Sequence, residues 1–333
     1  MHDEPPDTTP NDSHLATAAA RGEWGVVRAQ LEGAVGSDPG RRLLLAEAEL
    51  RTGALAAAHG RLGPLVAELA PQGNTAGYRR ALNMLGAAAF ELGQLTEAAE
   101  HFAAALALGN TGADPLTIGR ATNNLGMLAH LKGTYAEALA LYQLAVPAYQ
   151  RLGYVAGLAE THHNMALALR ELGQLEPADK QERRAIAFAR EAGNGRLLAM
   201  AQVGRAELAL RRGEPAVAQA GARLGAAEYA AIPDAVGEAD ALRLLGAAST
   251  VLGATALAGA SLVRAVALAR AQGSRLIEAE AHEARARLYA ALGQRGELAA
   301  EVAAARRLYR ALGAPAAAAA LEQWAREIQP GMD

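Results

Sequence analysis

Glycine recurs at Gly22, Gly53, Gly93, Gly133, Gly173, Gly213, Gly253 and Gly293, each closing an apolar-periodic stretch, at intervals of 31 and then 40 six times over. A fixed period of this length is the signature of a chain built from repeated supersecondary units, each too small to bury its own apolar face. Seven residues before the last seven of these glycines stand Ala46, Gly86, Gly126, Ala166, Ala206, Gly246 and Ala286. Five residues after them stand Ala58, Ala98, Ala138, Ala178, Ala218 and Ala258, and twelve after stand Ala105, Ala145, Ala185, Gly225, Ala265 and Ala305. Val27 and Leu298 take the fifth place in the first and last units. Small residues at helical spacing on both sides of a glycine turn predict two helices in close contact, because glycine adopts the left-handed conformation at a helix end without steric cost. Each unit is therefore expected to be a helical hairpin.

The stretches ALNMLGAAAFELGQLTEAAEHFAAAL (81–106) and ATNNLGMLAHLKGTYAEALALYQLAV (121–146) carry a Leu-Gly pair, the turn glycine, the small Ala, an aromatic at Phe102 or Tyr142 and a last Ala. This combination resembles the tetratricopeptide repeat, and it runs from about residue 14 to 311. The 40-residue period is similar to the long-helix arrays of kinesin light chains and of bacterial MalT-like or Rap-type regulators. The resemblance implies an all-α, right-handed superhelical α-solenoid of about eight hairpins with a C-terminal capping helix. The expected organisation is a disordered acidic tail over 1–13, then a single array over 14–330. Within it, a degenerate N-terminal hairpin containing the turn signal SDPG (37–40) precedes regular repeats from about 75 to 311, and a capping helix covers 314–328. Leu321, Trp324 and Ile328 are expected to close the last hairpin. Pro147 is expected to kink its helix or end it early, because proline removes one backbone hydrogen bond.

Counting back 13, 10, 9, 6 and 3 residues from each turn glycine traces one stripe of the first helix. The unusual residues on it are Arg80, Asn83, Met84 and Phe90, then Arg120, Asn123, Asn124, Met127 and His130, then Glu160, His163, Asn164 and Arg170. In tetratricopeptide arrays this stripe lines the concave groove, and kinesin-light-chain-like repeats place a peptide-binding asparagine where Asn124 and Asn164 stand. Asparagine is a poor helix-interior residue, and its amide offers both a donor and an acceptor to an extended peptide backbone. Arg80, Arg120, Arg170 and Arg243 add the bidentate donors that suit a carboxylate. The candidate peptide-binding residues are thus Arg80, Asn83, Arg120, Asn123, Asn124, His130, His163, Asn164 and Arg170. A rival reading has the asparagines stitching one first helix to the next across the stack.

Composition narrows the partner. With no cysteine, disulfides, thiolate metal sites and cysteine nucleophiles are excluded. The formal net charge of −3 and the even spread of paired arginines offer no field for nucleic acid or an anionic membrane. Phe, Trp and Tyr total 13, too few to stack bases in series. The adjacent His162 and His163 diverge by about 100° around a helix and do not share a metal readily. No G-x-S-x-G elbow or phosphate loop is present, so no catalytic residue, cofactor or metal is expected. MHDEPPDTTPNDSH, without Lys or Arg, is unlike a signal peptide, and no apolar run approaches a membrane span, so a cytoplasmic setting is expected. The expected function is capture of a peptide or protein segment, acidic or extended, in the groove. The alternative is a Rap-type sensor of a free peptide, and homo-oligomerisation is left open.

Overall fold

The computed structural model describes residues 12–20, 23–33, 36, 38–73, 75–232 and 234–328. Gly22 and most of the expected acidic tail lie outside them. Among the described residues there are seventeen α-helices, one short 3-10 turn at Ala70–Gln72 and no strand. The chain forms two compact units, Met1–Tyr154 and Val155–Asp333.

The first unit holds four hairpins: α1 (Asp12–Ala20) with α2 (Trp24–Leu31), α3 (Pro39–Arg51) with α4 (Leu55–Leu69), α5 (Ala76–Glu91) with α6 (Leu95–Thr111), and α7 (Pro115–Leu131) with α8 (Tyr135–Leu152). The opening hairpin is short, and the expected turn at SDPG is the start of α3, where Asp38 accepts a bond from the Arg41 N–H and Pro39 takes the first helical position. The second unit holds α9 (Val155–Glu171) with α10 (Leu175–Glu191), α11 (Gly195–Arg211) with α12 (Pro215–Ala230), α13 (Ala235–Val251) with α14 (Thr255–Ala271), α15 (Arg275–Ala291) with α16 (Arg295–Ala311), and the closing α17 (Pro315–Ile328).

The turn glycines from Gly53 to Gly293 all adopt φ between +71° and +78°. At Gly93 the backbone closes as a Schellman motif, with Gly93 N–H on the Phe90 carbonyl at 3.0 Å and Gln94 N–H on the Ala89 carbonyl at 2.8 Å. A second series of left-handed residues follows the second helices α4, α8, α10, α14 and α16, at Gly73, Gly153, Gly193, Gly273 and Gly313, with Ala113 in the same place after α6 at φ +47°. The chain therefore turns about every twenty residues, twice per 40-residue repeat.

The expected small residues are buried where the hairpin helices meet, and Val27 and Leu298 are buried with them. Residue size is balanced across that contact. Gly86 faces the Phe102 ring, Gly126 faces the Tyr142 ring and Gly246 faces Leu262. Where the first helix has Ala46 or Ala286 instead, the corresponding partners in the sequence are Leu62 and Val302. Leu321 and Trp324 of α17 pack on the α15–α16 core, with the Arg287 guanidinium 4.6 Å from the Trp324 ring centre, whereas Ile328 is exposed and does not take part in closing the hairpin. Helix α8 does not end early at Pro147 but runs to Leu152. Pro147 and Gln143 both lie on the exposed side of the helix.

Candidate functional site

In the first unit the first helices α3, α5 and α7 pack side by side, and the stripe carries a row of polar contacts between them. Asn124 of α7 donates from Nδ2 to Asn83 Oδ1 of α5 at 3.2 Å. Arg80 of α5 pairs with Glu47 of α3. Half-buried Arg120, one turn before Asn124, makes no hydrogen bond or ion pair to the described residues. Asn123 is buried, with its Nδ2 4.0 Å from the Met127 sulfur. His130 lies at the end of α7, edge-on to Tyr135 of α8 with ring centres 5.1 Å apart. The structure thus brings together Asn83, Asn124 and Arg120 on the accessible face, and turns Asn123 inward.

In the second unit the same stripe runs over α9, α11, α13 and α15. Asn164 is half-buried on it. Arg170 is held by Glu171 at 2.9 Å and by Glu207 of α11 at 2.6 Å. Arg243 of α13 is held by Asp240 at 2.6 Å and by Glu280 of α15 at 3.2 Å. Burial pushes the Glu280 carboxyl above the ordinary carboxylate range, against the pull of Arg243 and assisted by Asp240 and Glu207. His163 is not on the accessible face with Asn164. It is buried inside the hairpin, its Nδ1 3.0 Å from Oε1 of Glu182 on α10. Burial raises the Glu182 carboxyl, opposed by the His163 ring.

Three of the four arginines expected to give the stripe a basic character are therefore neutralised by acids of neighbouring first helices. The acids Glu47, Glu207 and Glu280 were missed by sequence reasoning. They stand at stripe positions 6, 6 and 13 residues before their own turn glycines, so applying the same count to the flanking repeats finds them. Chemically, the stripe is a near-neutral row of amide and guanidinium–carboxylate contacts with Arg120 as its uncompensated cation among the described residues. These residues contain no group of three or more histidines and carboxylates able to hold a metal, and no helix long and apolar enough to cross a membrane.

The tetratricopeptide-repeat family model matches residues 117–191, which span α7 to α10. No curated protein matches the sequence. Among solved structures, the chain is similar to a Rap protein complexed with competence and sporulation factor, with a TM-score of 0.61, 12% identity and 96% of each chain covered. It is similar to the Rap conjugation gene regulator of plasmid pLS20 in complex with the Phr* peptide, with a TM-score of 0.59, 15% identity, 83% of this chain and 78% of that one. It is also similar to a signal transduction ATPase with numerous domains that carries a tetratricopeptide repeat sensor, from Pyrococcus horikoshii, with a TM-score of 0.69 and 13% identity. That match covers 97% of this chain and 48% of the other. The fold is that of tetratricopeptide-repeat proteins.

Proposed function

We propose that this protein is an interaction module that captures a peptide or protein segment on its first-helix face, with Asn83, Asn124 and Arg120 as the central contacts. Arg120 carries the reading. It is the one stripe arginine of the four without an acidic partner among the described residues, and an unpaired guanidinium on an accessible face gains most from a ligand carboxylate. The bond between Asn124 and Asn83 uses one donor and one acceptor, which leaves amide groups on both to meet an extended backbone. The pairing of Arg80, Arg170 and Arg243 shifts the preferred ligand from a run of acids to an extended segment bearing one carboxylate. Binding rather than catalysis, in the cytoplasm, fits a stripe of paired ions and amides.

The likeness to Rap proteins solved with a factor or a peptide supports a second reading, in which the ligand is a free signalling peptide and its uptake changes the conformation of the array. Capture from host lysate tests the first reading. Partners held by wild type and by the surface control Lys180→Glu, but lost from Arg120→Glu and from the Asn83→Ala, Asn124→Ala double variant, support it. Identical partner lists for all four proteins overturn it. A ligand-dependent change in small-angle scattering is the result expected of the sensor.

A further inference from the structure

Two hairpins of the second unit, α9–α10 and α15–α16, carry a polar contact between their helices, away from the first-helix stripe. Eleven residues before the turn glycine stand His162, Gln202 and His282, and eight residues after it stand Gln181, Gly221 and Glu301. In the first and last of these hairpins the two positions meet: His162 Nδ1 lies 2.7 Å from Gln181 Oε1, and His282 Nδ1 lies 2.5 Å from Glu301 Oε2. In the α11–α12 hairpin Gly221 offers no side chain. Gln202, 5% exposed, is left with a buried Oε1 that makes no hydrogen bond. A buried amide oxygen without a partner costs roughly 1–3 kcal/mol of desolvation, and natural structures rarely keep one without a use.

A cavity of about 660 Å³ lies between α10 and α12, floored by α11, with Gln202 and Gly221 in its lining. This is the size range of a ligand site. Its apolar wall includes Ile186, Val217 and Leu224, and the last two are 40% and 54% exposed. Its rim carries Arg183, Arg190 and Arg205. Arg183 and Arg205 share the single carboxylate of Asp179, at 2.7 and 2.9 Å, while Arg190 has no ion pair to the described residues. The site is therefore net positive. It brings together a buried amide oxygen without a partner at Gln202, a guanidinium without an ion pair at Arg190, and an apolar slot.

We propose that this cavity binds the carboxy-terminal residue of a partner peptide. Its carboxylate meets Arg190 and Arg183, its backbone N–H donates to Gln202 Oε1, and its apolar side chain lies between Ile186, Val217 and Leu224. The terminal residue of a chain carries all three groups on one carbon atom, whereas an internal acidic residue places its carboxylate on a separate, flexible arm. None of the lining residues belongs to the stripe of the proposed function, so the two sites stand or fall independently.

The test uses the full chain and a pool of fluorescein-labelled hexapeptides with five randomised positions and a C-terminal leucine, as free acid and as amide, followed by anisotropy. The free-acid pool is expected to bind at least about tenfold more tightly than the amide pool. That difference should vanish in Gly221→Gln, which supplies the missing side chain, and in Arg190→Glu, an exposed substitution that leaves the core untouched. It should persist in Arg120→Glu. Equal binding of acid and amide, no binding of either, an acid preference that survives both cavity variants, or competition by free leucine as effective as by the peptide acid overturns the proposal.

Discussion

Nine residues after the turn glycine, the α7–α8 hairpin places Tyr142 and the α9–α10 hairpin places Glu182, both fully buried at equivalent points of the same backbone frame. Around Tyr142 the first helix gives way. Gly126 stands where any Cβ would lie 2.5 Å from the ring. Around Glu182 the first helix keeps its Ala166 and instead supplies His163 to meet the carboxylate, while Gly204 of the following first helix clears the space beside it. An apolar lock and a buried polar pair thus serve one position in neighbouring repeats. The lock stabilises through burial, whereas a buried pair offsets its own desolvation and leaves little net gain.

The comparison breaks most visibly at His163. His163→Ala leaves the Glu182 carboxyl buried without its partner and should cost about 3–5 kcal/mol in urea unfolding. Replacing both partners, as His163→Leu with Glu182→Leu, should recover most of that loss. If the single variant unfolds at the wild-type urea concentration, the pair is not what fixes this hairpin. Gly126→Ala in the other hairpin comes next. It should cost about 1–3 kcal/mol by driving the Tyr142 ring from its seat, although alanine is the better helix former by roughly 1 kcal/mol. A gain in stability would mean that the ring has room to move and that the lock is looser than its geometry.

The hairpins were legible because the period was. A glycine every 40 residues with small neighbours leaves one backbone solution, and the buried Gly126 and Ala138 stand where that solution puts them. The second turn series was as readable at Gly153, Gly193 and Gly273, and at Ala113 the signal is carried by the neighbours Gly112, Asp114 and Pro115, although the left-handed residue itself is alanine. The stripe was legible as a face and not as a charge distribution. Arg170 is neutralised by Glu207 and Arg243 by Glu280, each 37 residues along the chain on the next first helix, a distance at which only the stacking of repeats brings groups together. The orientation of His163 was lost for a related reason. Its position lies at the inner edge of the stripe, where Arg243 of a later repeat keeps partial exposure and Val203 does not.

A smaller effect separates the same two hairpins by pH. His162 stacks on Phe188 of α10 with ring centres 5.4 Å apart, and burial holds its pKa below the ordinary 6.5, helped by Arg184 and opposed by the Gln181 contact. The folded state therefore keeps the ring neutral while the unfolded chain takes up a proton first. Stability attributable to this group is complete above pH 6.5 and is lost as pH falls below that value toward the folded pKa. Urea unfolding of wild type and of His162→Gln at about pH 7.5 and about pH 5.5 should show the larger acid loss in wild type. Parallel losses would assign the acid sensitivity elsewhere in the unit.

The smallest expected effect lies at the turn that delivers the chain into the Gly126–Tyr142 hairpin. Ala113 holds φ +47°, where a Cβ crowds the following carbonyl at a cost of about 1–2 kcal/mol, and five other turns of the same series use glycine. Ala113→Gly removes that strain and returns about 0.5–1 kcal/mol of it as chain entropy in the unfolded state, so the net gain should be at most about 1.5 kcal/mol. Combined with Gly126→Ala, the two changes should add if the turn and the lock are independent, as their lack of shared side-chain partners implies. A sum that departs from additivity by more than about 0.5 kcal/mol would mean that the turn sets the register in which Tyr142 meets the first helix, and that the apolar lock depends on the backbone before it as well as on the ring.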